Sequence, residues 1–256
     1  MRIKCIDLNI WSGGKLLDNA LVFLKKENAD IITMQEVYSG IDPSLDKSRR
    51  TLSVVASELG LPYYAFAADA RDTSRGLNVE WGNAIFSRFP LKTVKEYIID
   101  GQYGDFEVET SDASVWEYLP RMYQEVEVSL GTNRGLSIHN IHGIWGTHGD
   151  DTERRLVMGK KIIEEIKGKR PLILTGDFNL SPNTTVVKNI EQYLTNVFKD
   201  KLTSSFNMRR KTDPGYATAV VDMMFLTPDI KIIDHYCPDV DISDHLPLVA
   251  HLSFTS

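Results

Sequence analysis

The chain has 256 residues, of which 42% are hydrophobic and 25% charged, with a net charge of −6 and only two cysteines. That length admits one large domain or two small ones, and the apolar fraction is enough for a sizeable core. The acidic balance argues against a general binder of long nucleic acid, which displaces counterions with a basic stripe.

The N-terminal run Met1-Arg2-Ile3-Lys4-Cys5-Ile6-Asp7 carries a base and an acid inside a short apolar stretch, unlike a secretory leader. No apolar run approaches the roughly eighteen residues that a bilayer span needs, so the chain reads as cytoplasmic. Cys5 and Cys237 lie far apart without a CxxC neighbour and are expected as buried thiols. From Ile3 to Ile10, Ile6, Leu8 and Ile10 alternate with Cys5, Asp7 and Asn9, the period of a strand. Leu17, Ala20, Leu21 and Leu24 then share one helical face. Asp30 to Val37 is a second strand, and Leu52, Val55, Ala56 and Leu59 mark a second helix stopped by Gly60 and Pro62. Strand character returns at Asn83 to Phe86 and at Leu91 to Ile99. Between Asp100 and Leu119 lie six acidic residues and no lysine or arginine.

Met122 to Leu130 and Leu136 to Ile141 are expected as neighbouring strands joined at Gly131-Thr132-Asn133. A helix follows from Thr152 to Ile166 with Asp151 as its N-cap. Pro171 to Thr175 has the unbroken apolar pattern of a buried strand. The last strands are Val220 to Leu226, Ile230 to His235 and Leu246 to Leu252. No Pro/Gly/Ser-rich linker divides the chain, so one domain over 1–256 is expected, with two sheets face to face and helices outside.

Several polar residues close or interrupt these apolar strands. Gln35-Glu36 ends one; a solvated strand terminus explains it, and so does a ligand for a hard cation such as magnesium. Gly176-Asp177-Phe178-Asn179 follows Leu172-Ile173-Leu174-Thr175. It reads as an Asx-rich turn, or as an acid and an amide aimed at one point above a sheet. Asp222 lies inside the apolar run Ala219 to Leu226, where a carboxylate needs a partner. Ser243-Asp244-His245 offers that partner in His245, and His142 supplies a second imidazole. Spacing alone does not exclude His139 or His148.

Taken together, Asn9-Ile10-Trp11, Gln35-Glu36, Gly82-Asn83 through Arg88, Ile141-His142, Gly176 to Asn179, Val221-Asp222 and Ser243-Asp244-His245 occur in one order along nearly the whole chain. That order resembles the endonuclease/exonuclease/phosphatase superfamily, which includes DNase I, AP endonucleases, tyrosyl-DNA phosphodiesterase 2, deadenylases, inositol polyphosphate 5-phosphatases and neutral sphingomyelinases. The resemblance implies an α/β fold of DNase I type, a four-layer α/β sandwich of two mixed sheets with helices outside. The chain departs from it before Asp222, where many relatives carry a basic residue and Ala219, Val220 and Val221 stand here. The segment from Asp100 to Leu119, with Trp116 and Tyr118, matches no known specificity element.

The resemblance and the residue chemistry imply a divalent-metal-dependent phosphoester hydrolase. Glu36 would bind Mg2+, or Mn2+ in its place, with Asn9 and Asp244 contributing directly or through water. Asp177 would orient and deprotonate the attacking water, helped by Asn179. His245, held cationic by Asp222, would donate to a phosphoryl oxygen. His142 would steady the same group or protonate the leaving oxygen, and Asn83 would touch phosphate or support a residue that does. A phosphodiesterase or nuclease on DNA or RNA is the first expectation, with Arg209, Arg210 and Lys211 available to a short strand. A phosphatase or phosphodiesterase on a small or lipid-derived phosphoester is the alternative. The contrast from another class is a silent scaffold of the same fold, which intact residues at every motif argue against.

Overall fold

The alternation that opens the chain resolves into two buried faces rather than one buried and one wet. Ile6, Leu8 and Ile10 pack under helices, whereas Ile3 and Cys5 face a second sheet. The computed structural model describes residues 1–110, 112–131, 135–199 and 201–254. Within them the elements run β1 (Arg2–Asn9), α1 (Leu17–Glu27), β2 (Ile31–Tyr38), α2 (Thr51–Leu59), β3 (Tyr63–Asp72), β4 (Val79–Ser87), β5 (Leu91–Asp100), β6 (Asp105–Phe106) and α3 (Ala113–Tyr118). They continue with β7 (Arg121–Ser129), β8 (Gly135–His142), α4 (Glu153–Ile166), β9 (Leu172–Asp177), α5 (Thr185–Ile190), β10 (Thr195–Asn196), β11 (Asp222–Leu226), β12 (Ile230–Tyr236) and β13 (Leu248–Phe254).

One sheet has the order β12-β13-β1-β2-β4-β3-β6 and the other β10-β11-β9-β8-β7-β5. Both are mixed: β1 pairs parallel with β2, β3 with β6, and β8 with β9, while the remaining pairs are antiparallel. Ile31, Ile85, Val126, Ile138, Ile173 and Ala250 fill the space between the sheets. Leu17, Leu21, Leu24 and Val55 of α1 and α2 cover the outer face of the first sheet. Met158, Ile162, Val186 and Ile190 of α4 and α5 cover the outer face of the second. This is the four-layer α/β sandwich of DNase I type that the resemblance implies.

Local chemistry accounts for most boundaries. Gly60 ends α2 in the left-handed conformation at φ 60°, and its N–H donates to Ala56 and Ser57. The N-cap of α4 is Thr152, whose hydroxyl accepts from the Arg155 N–H. Asp151, expected in that role, instead accepts from the N–H groups of Thr185 and Val186 and so ties down the start of α5. A hydroxyl one residue nearer the helix satisfies the same donor, which frees the carboxylate for the neighbouring one. Sequence periodicity missed β3, whose start Tyr63-Tyr64 is exposed and whose alanines replace the larger residues that mark a strand. The turn expected at Gly131-Thr132-Asn133 lies, beyond Gly131, outside the described residues. Cys5 is buried, Cys237 is half-buried, and both are free thiols. Among the described residues no helix is long and apolar enough to cross a membrane.

The acidic segment is not a loose charge run. β6 extends the edge of the first sheet, and three of its six acids are paired from other elements: Asp100 with Arg154, Asp105 with Arg71, and Glu109 with Arg49. The insert thereby stands fixed against the end of the sandwich where the site lies.

Candidate functional site

Register brings the polar residues together. On the second sheet, Asp177 at the end of β9 lies opposite His142 of β8 on one side and Asp222 of β11 on the other. Gly176 makes this approach possible, since a Cβ there would come within 1.9 Å of the Ile141 carbonyl. On the first sheet, Asn9 closes β1 beside Gln35 of β2, and Asp244 and His245 precede β13 at the same end. The two groups meet across the gap: the Asn9 amide donates to Asp177 Oδ2 and to Glu36 Oε1, each at 3.1 Å.

Glu36 is aimed by strain. A bulge in β2 between Met34 and Val37 turns Gln35 inward, to Asp7 and Asn140, and lifts Glu36 out at φ 62°. Trp11, Ser12, Gly13 and Gly14 form a continuous left-handed turn. Its Ser12 N–H donates to the Glu36 carboxylate at 2.6 Å, and its Gly13 N–H to the Glu36 carbonyl at 2.7 Å. Among the described residues six non-glycine residues have positive φ, and five of them, Trp11, Ser12, Glu36, Arg75 and Asn179, line one cleft. The sixth, Asn28, caps a helix. Strained backbone concentrated at a single cleft is a mark of a functional site.

Asp222 and His245 form a buried ion pair, with Oδ2 2.9 Å from Nδ1. Burial alone would strip the proton from His245, but Asp222, Asp177 and Asp244 together outweigh it and raise its pKa to about 10. The other ring nitrogen faces Asp177 Oδ2 at 3.8 Å. Asp177 is driven above the ordinary carboxylate range, first by burial and then by Asp222, while the His245 imidazolium, the Asn179 N–H and Asn9 oppose the rise. His142 Nε2 is 3.7 Å from the same oxygen. Burial, then Arg121 and His245, hold that imidazole neutral, well below its usual pKa.

A hard-cation site has its own donors. Glu36 and Asp244 both line the cleft, and the Lys211 ammonium lies 2.9 Å from Asp244 Oδ2 within the field of Glu36. Two carboxylates converging on one ammonium fit a divalent cation in charge and in donor type. Asp177, Asp222 and His245 also bring one donor atom each within 4.8 Å of one another. The hydrogen-bonded imidazolium fills that triangle, which makes it a proton-holding pair and not a cradle for metal.

The expected residues fare differently. Asp177, Asn179, His142, His245, Glu36 and Asp244 line the cleft, and Asp222 stands behind His245. Asn9 turns its nitrogen to the two acids and its Oδ1 to the Trp11 N–H at 3.0 Å, so its hydrogen bonding favours orienting carboxylates over binding metal. Asn83 lies off the cleft and donates to the Met122 carbonyl at 3.2 Å, so of its two expected positions only the supporting one fits. His139 is a core residue bonded to Tyr123 and Ser137, and His148 is exposed. Arg209, Arg210 and Lys211 pair with Asp239, Asp241 and Asp244, which cancels the local basic patch expected for a nucleic-acid strand.

Arg121 went unnoticed in the sequence. It is 2% exposed, lines the cleft, and spends one nitrogen on the Trp116 carbonyl at 3.2 Å, leaving Nε and Nη1 without a hydrogen-bond partner among the described residues. Buried donors without a partner are costly, and the guanidinium is stabilised by the charges of Asp69, Asp177 and Glu36 around it, two of which line the cleft. In the sequence it is only an arginine opening a strand that also carries Gln124, Glu125 and Glu127, so nothing sets it apart. Arg155, also buried, grips the carbonyls of Ile144, His148 and Asp150 and so shapes the loop that carries Trp145.

Comparison with known proteins adds the lineage. The chain from residue 8 to residue 245 matches the model of the Endonuclease/Exonuclease/phosphatase family. No curated protein matches its sequence. Among solved structures it is similar to an endonuclease/exonuclease/phosphatase from Beutenbergia cavernae, with 16% identity, a TM-score of 0.78, and 99% of this chain and 72% of that one covered. It is also similar to the catalytic domain of human nocturnin, at 19% identity and TM-score 0.70, covering 99% of this chain and 95% of that one. The mannosyl-6-phosphatase Bt3783 of Bacteroides thetaiotaomicron shares 18% identity at TM-score 0.68, with 98% of this chain and 100% of that one covered. The family match runs through every strand end that builds this site, and the chain belongs to the endonuclease/exonuclease/phosphatase family, whose members hydrolyse phosphoesters.

Proposed function

We propose that 1–256 acts as one catalytic domain that hydrolyses a phosphoester with a divalent cation, magnesium by preference and manganese as a substitute. The observation that carries this reading is the surround of Asp177 Oδ2: Asn9 at 3.1 Å, His142 at 3.7 Å and His245 at 3.8 Å, drawn from both sheets. Asp177 accepts the proton of the attacking water. Its raised pKa makes it a stronger base than an exposed carboxylate. Asn179, fixed by its own bond to the Gly143 carbonyl at 3.2 Å, and neutral His142 position the water and the phosphoryl group. The His245 imidazolium donates to a non-bridging oxygen, and Asp222 holds its proton and orientation. Arg121 offers its two free donors to the same phosphoryl group. Glu36 and Asp244 would hold the cation. When bound, it supplies charge neutralisation and stabilisation of the leaving oxygen.

The pairing of Arg209, Arg210 and Lys211 with aspartates favours a compact phosphoester over a polynucleotide. The similarity to a mannosyl-6-phosphatase agrees with that preference. The test is a panel of sugar phosphates, mononucleotides, DNA, RNA and an aryl phosphodiester, run with magnesium, manganese or chelator beside Asp177→Asn. Metal-dependent turnover lost in the variant supports the reading. Turnover that persists in the variant or in chelator removes Asp177 or the metal from it.

A further inference from the structure

All four tryptophans of the chain, Trp11, Trp81, Trp116 and Trp145, line the same cleft, which encloses about 610 Å³. They come from four separate segments: the loop after β1, strand β4, helix α3 of the acidic insert, and the loop after β8. Trp81 forms the inner wall, its ring 5.8 Å from that of His142 and its indole N–H buried without a hydrogen-bond partner among the described residues. Trp116 and Trp145 meet edge to face at 5.6 Å and 81°, which makes a corner of two half-buried indoles on the outer side. Trp11 is held at φ 63° with the Lys15 ammonium over its ring at 4.7 Å.

Packing accounts for Trp81 and Trp116, which share one hydrophobic cluster, but not for Trp11 and Trp145, which join none of the clusters formed by the described residues. The cleft's size falls in the range of small-molecule sites, roughly 300–1,000 Å³, and exceeds what a phosphoryl group fills. The remainder is bounded by indole together with Val108, Leu119, Phe206 and Tyr216. An indole face is electron-rich and attracts the weakly positive C–H groups of a saturated ring, as well as stacked bases. Glu109 and Thr110, on the insert beside Trp116, offer oxygens to hydroxyl groups.

Resting on the phosphoesterase reading above, we propose that the indole corner is a leaving-group subsite for the sugar ring that bears the scissile phosphate. The substrate class is then a phosphorylated sugar, either a carbohydrate phosphate or a mononucleotide, and not an internal phosphodiester of a long polymer. With every tryptophan in the cleft, intrinsic fluorescence reports its occupancy directly and without turnover. The experiment titrates the wild-type chain in chelator, and Asp177→Asn, with a hexose phosphate, a mononucleotide, inorganic phosphate and a DNA oligonucleotide blocked at both ends. The expected result is saturable binding of one sugar phosphate at least about tenfold tighter than inorganic phosphate, reduced by about tenfold in W116A or W145A. The hexose and nucleotide arms identify which source of the ring is preferred. Equal affinity for sugar phosphate and inorganic phosphate, or tighter binding of the blocked oligonucleotide, overturns the subsite. The hydrolase reading is judged separately by turnover: sugar-phosphate binding in a chain that hydrolyses nothing keeps the subsite and defeats the chemistry.

Discussion

The floor of the cleft and its rim are built on different terms. The floor consists of strand ends, where His142, Asp177 and Asp222 face one another across adjacent strands through backbone register. The rim consists of loops and the acidic insert, held by arginines that reach in from elsewhere: Arg154 to Asp100, Arg49 to Glu109, and Arg155 to the loop that carries Trp145. Floor geometry is inherited from the sheets, so it changes only when the fold does. Rim geometry rests on a few side chains, and it is the part that is free to set specificity without disturbing the chemistry.

Attacking the floor should give the largest effects. Asp222→Asn and His245→Gln should each lower kcat by about 10²–10⁴. As members of one pair they should be non-additive, with the double variant no slower than the worse single; additive losses measured in kcat would show that they act apart. Next comes Glu36→Gln, which should raise the magnesium concentration for half-maximal rate by about tenfold or more, read from a metal titration. An unchanged midpoint would put the cation elsewhere.

Proton affinities give a third test. Asp177 must be ionised to act as base, and its carboxyl is raised, so kcat/KM should climb with pH above the usual carboxylate range. The rate should fall again as His245 loses its proton near pH 10. Stability follows the same imidazole. Its folded value lies above an unfolded value of about 6.5, so the stabilisation is complete below that value and is lost as pH rises towards 10. Thermal melts in chelator should show that alkaline loss, and it should be blunted in His245→Gln.

The smallest effect belongs to the rim. Arg154 is partly exposed, and Arg154→Ala should cost at most about 1 kcal/mol in melting experiments. It should nevertheless raise KM more than it lowers kcat, because it frees the insert that carries Trp116. A matching loss in kcat would mean that rim and floor are coupled more tightly than their separate construction suggests.

Most of the fold was legible because apolar periodicity marks strands and helices, and capping chemistry marks their ends. Leu17, Ala20, Leu21 and Leu24 do bury one face of α1, and Gly60 does stop α2. β3 escaped because its alanines and tyrosines carry little period, and its place in the sheet is supplied by β4. Asp177, Asp222, His245 and Glu36 could be singled out because a polar group ending or breaking an apolar strand stands against its background. Arg121, the strained backbone at Trp11 and Glu36, and the meeting of four tryptophans left no comparable mark. Each depends on contacts between residues distant in sequence: buried donors left open by the packing, a bulge opposite β4, and loops converging over one end of a sandwich. Local composition decided which groups were available for chemistry. Only the tertiary structure decided which of them face one another, because strand register and loop anchoring are long-range facts.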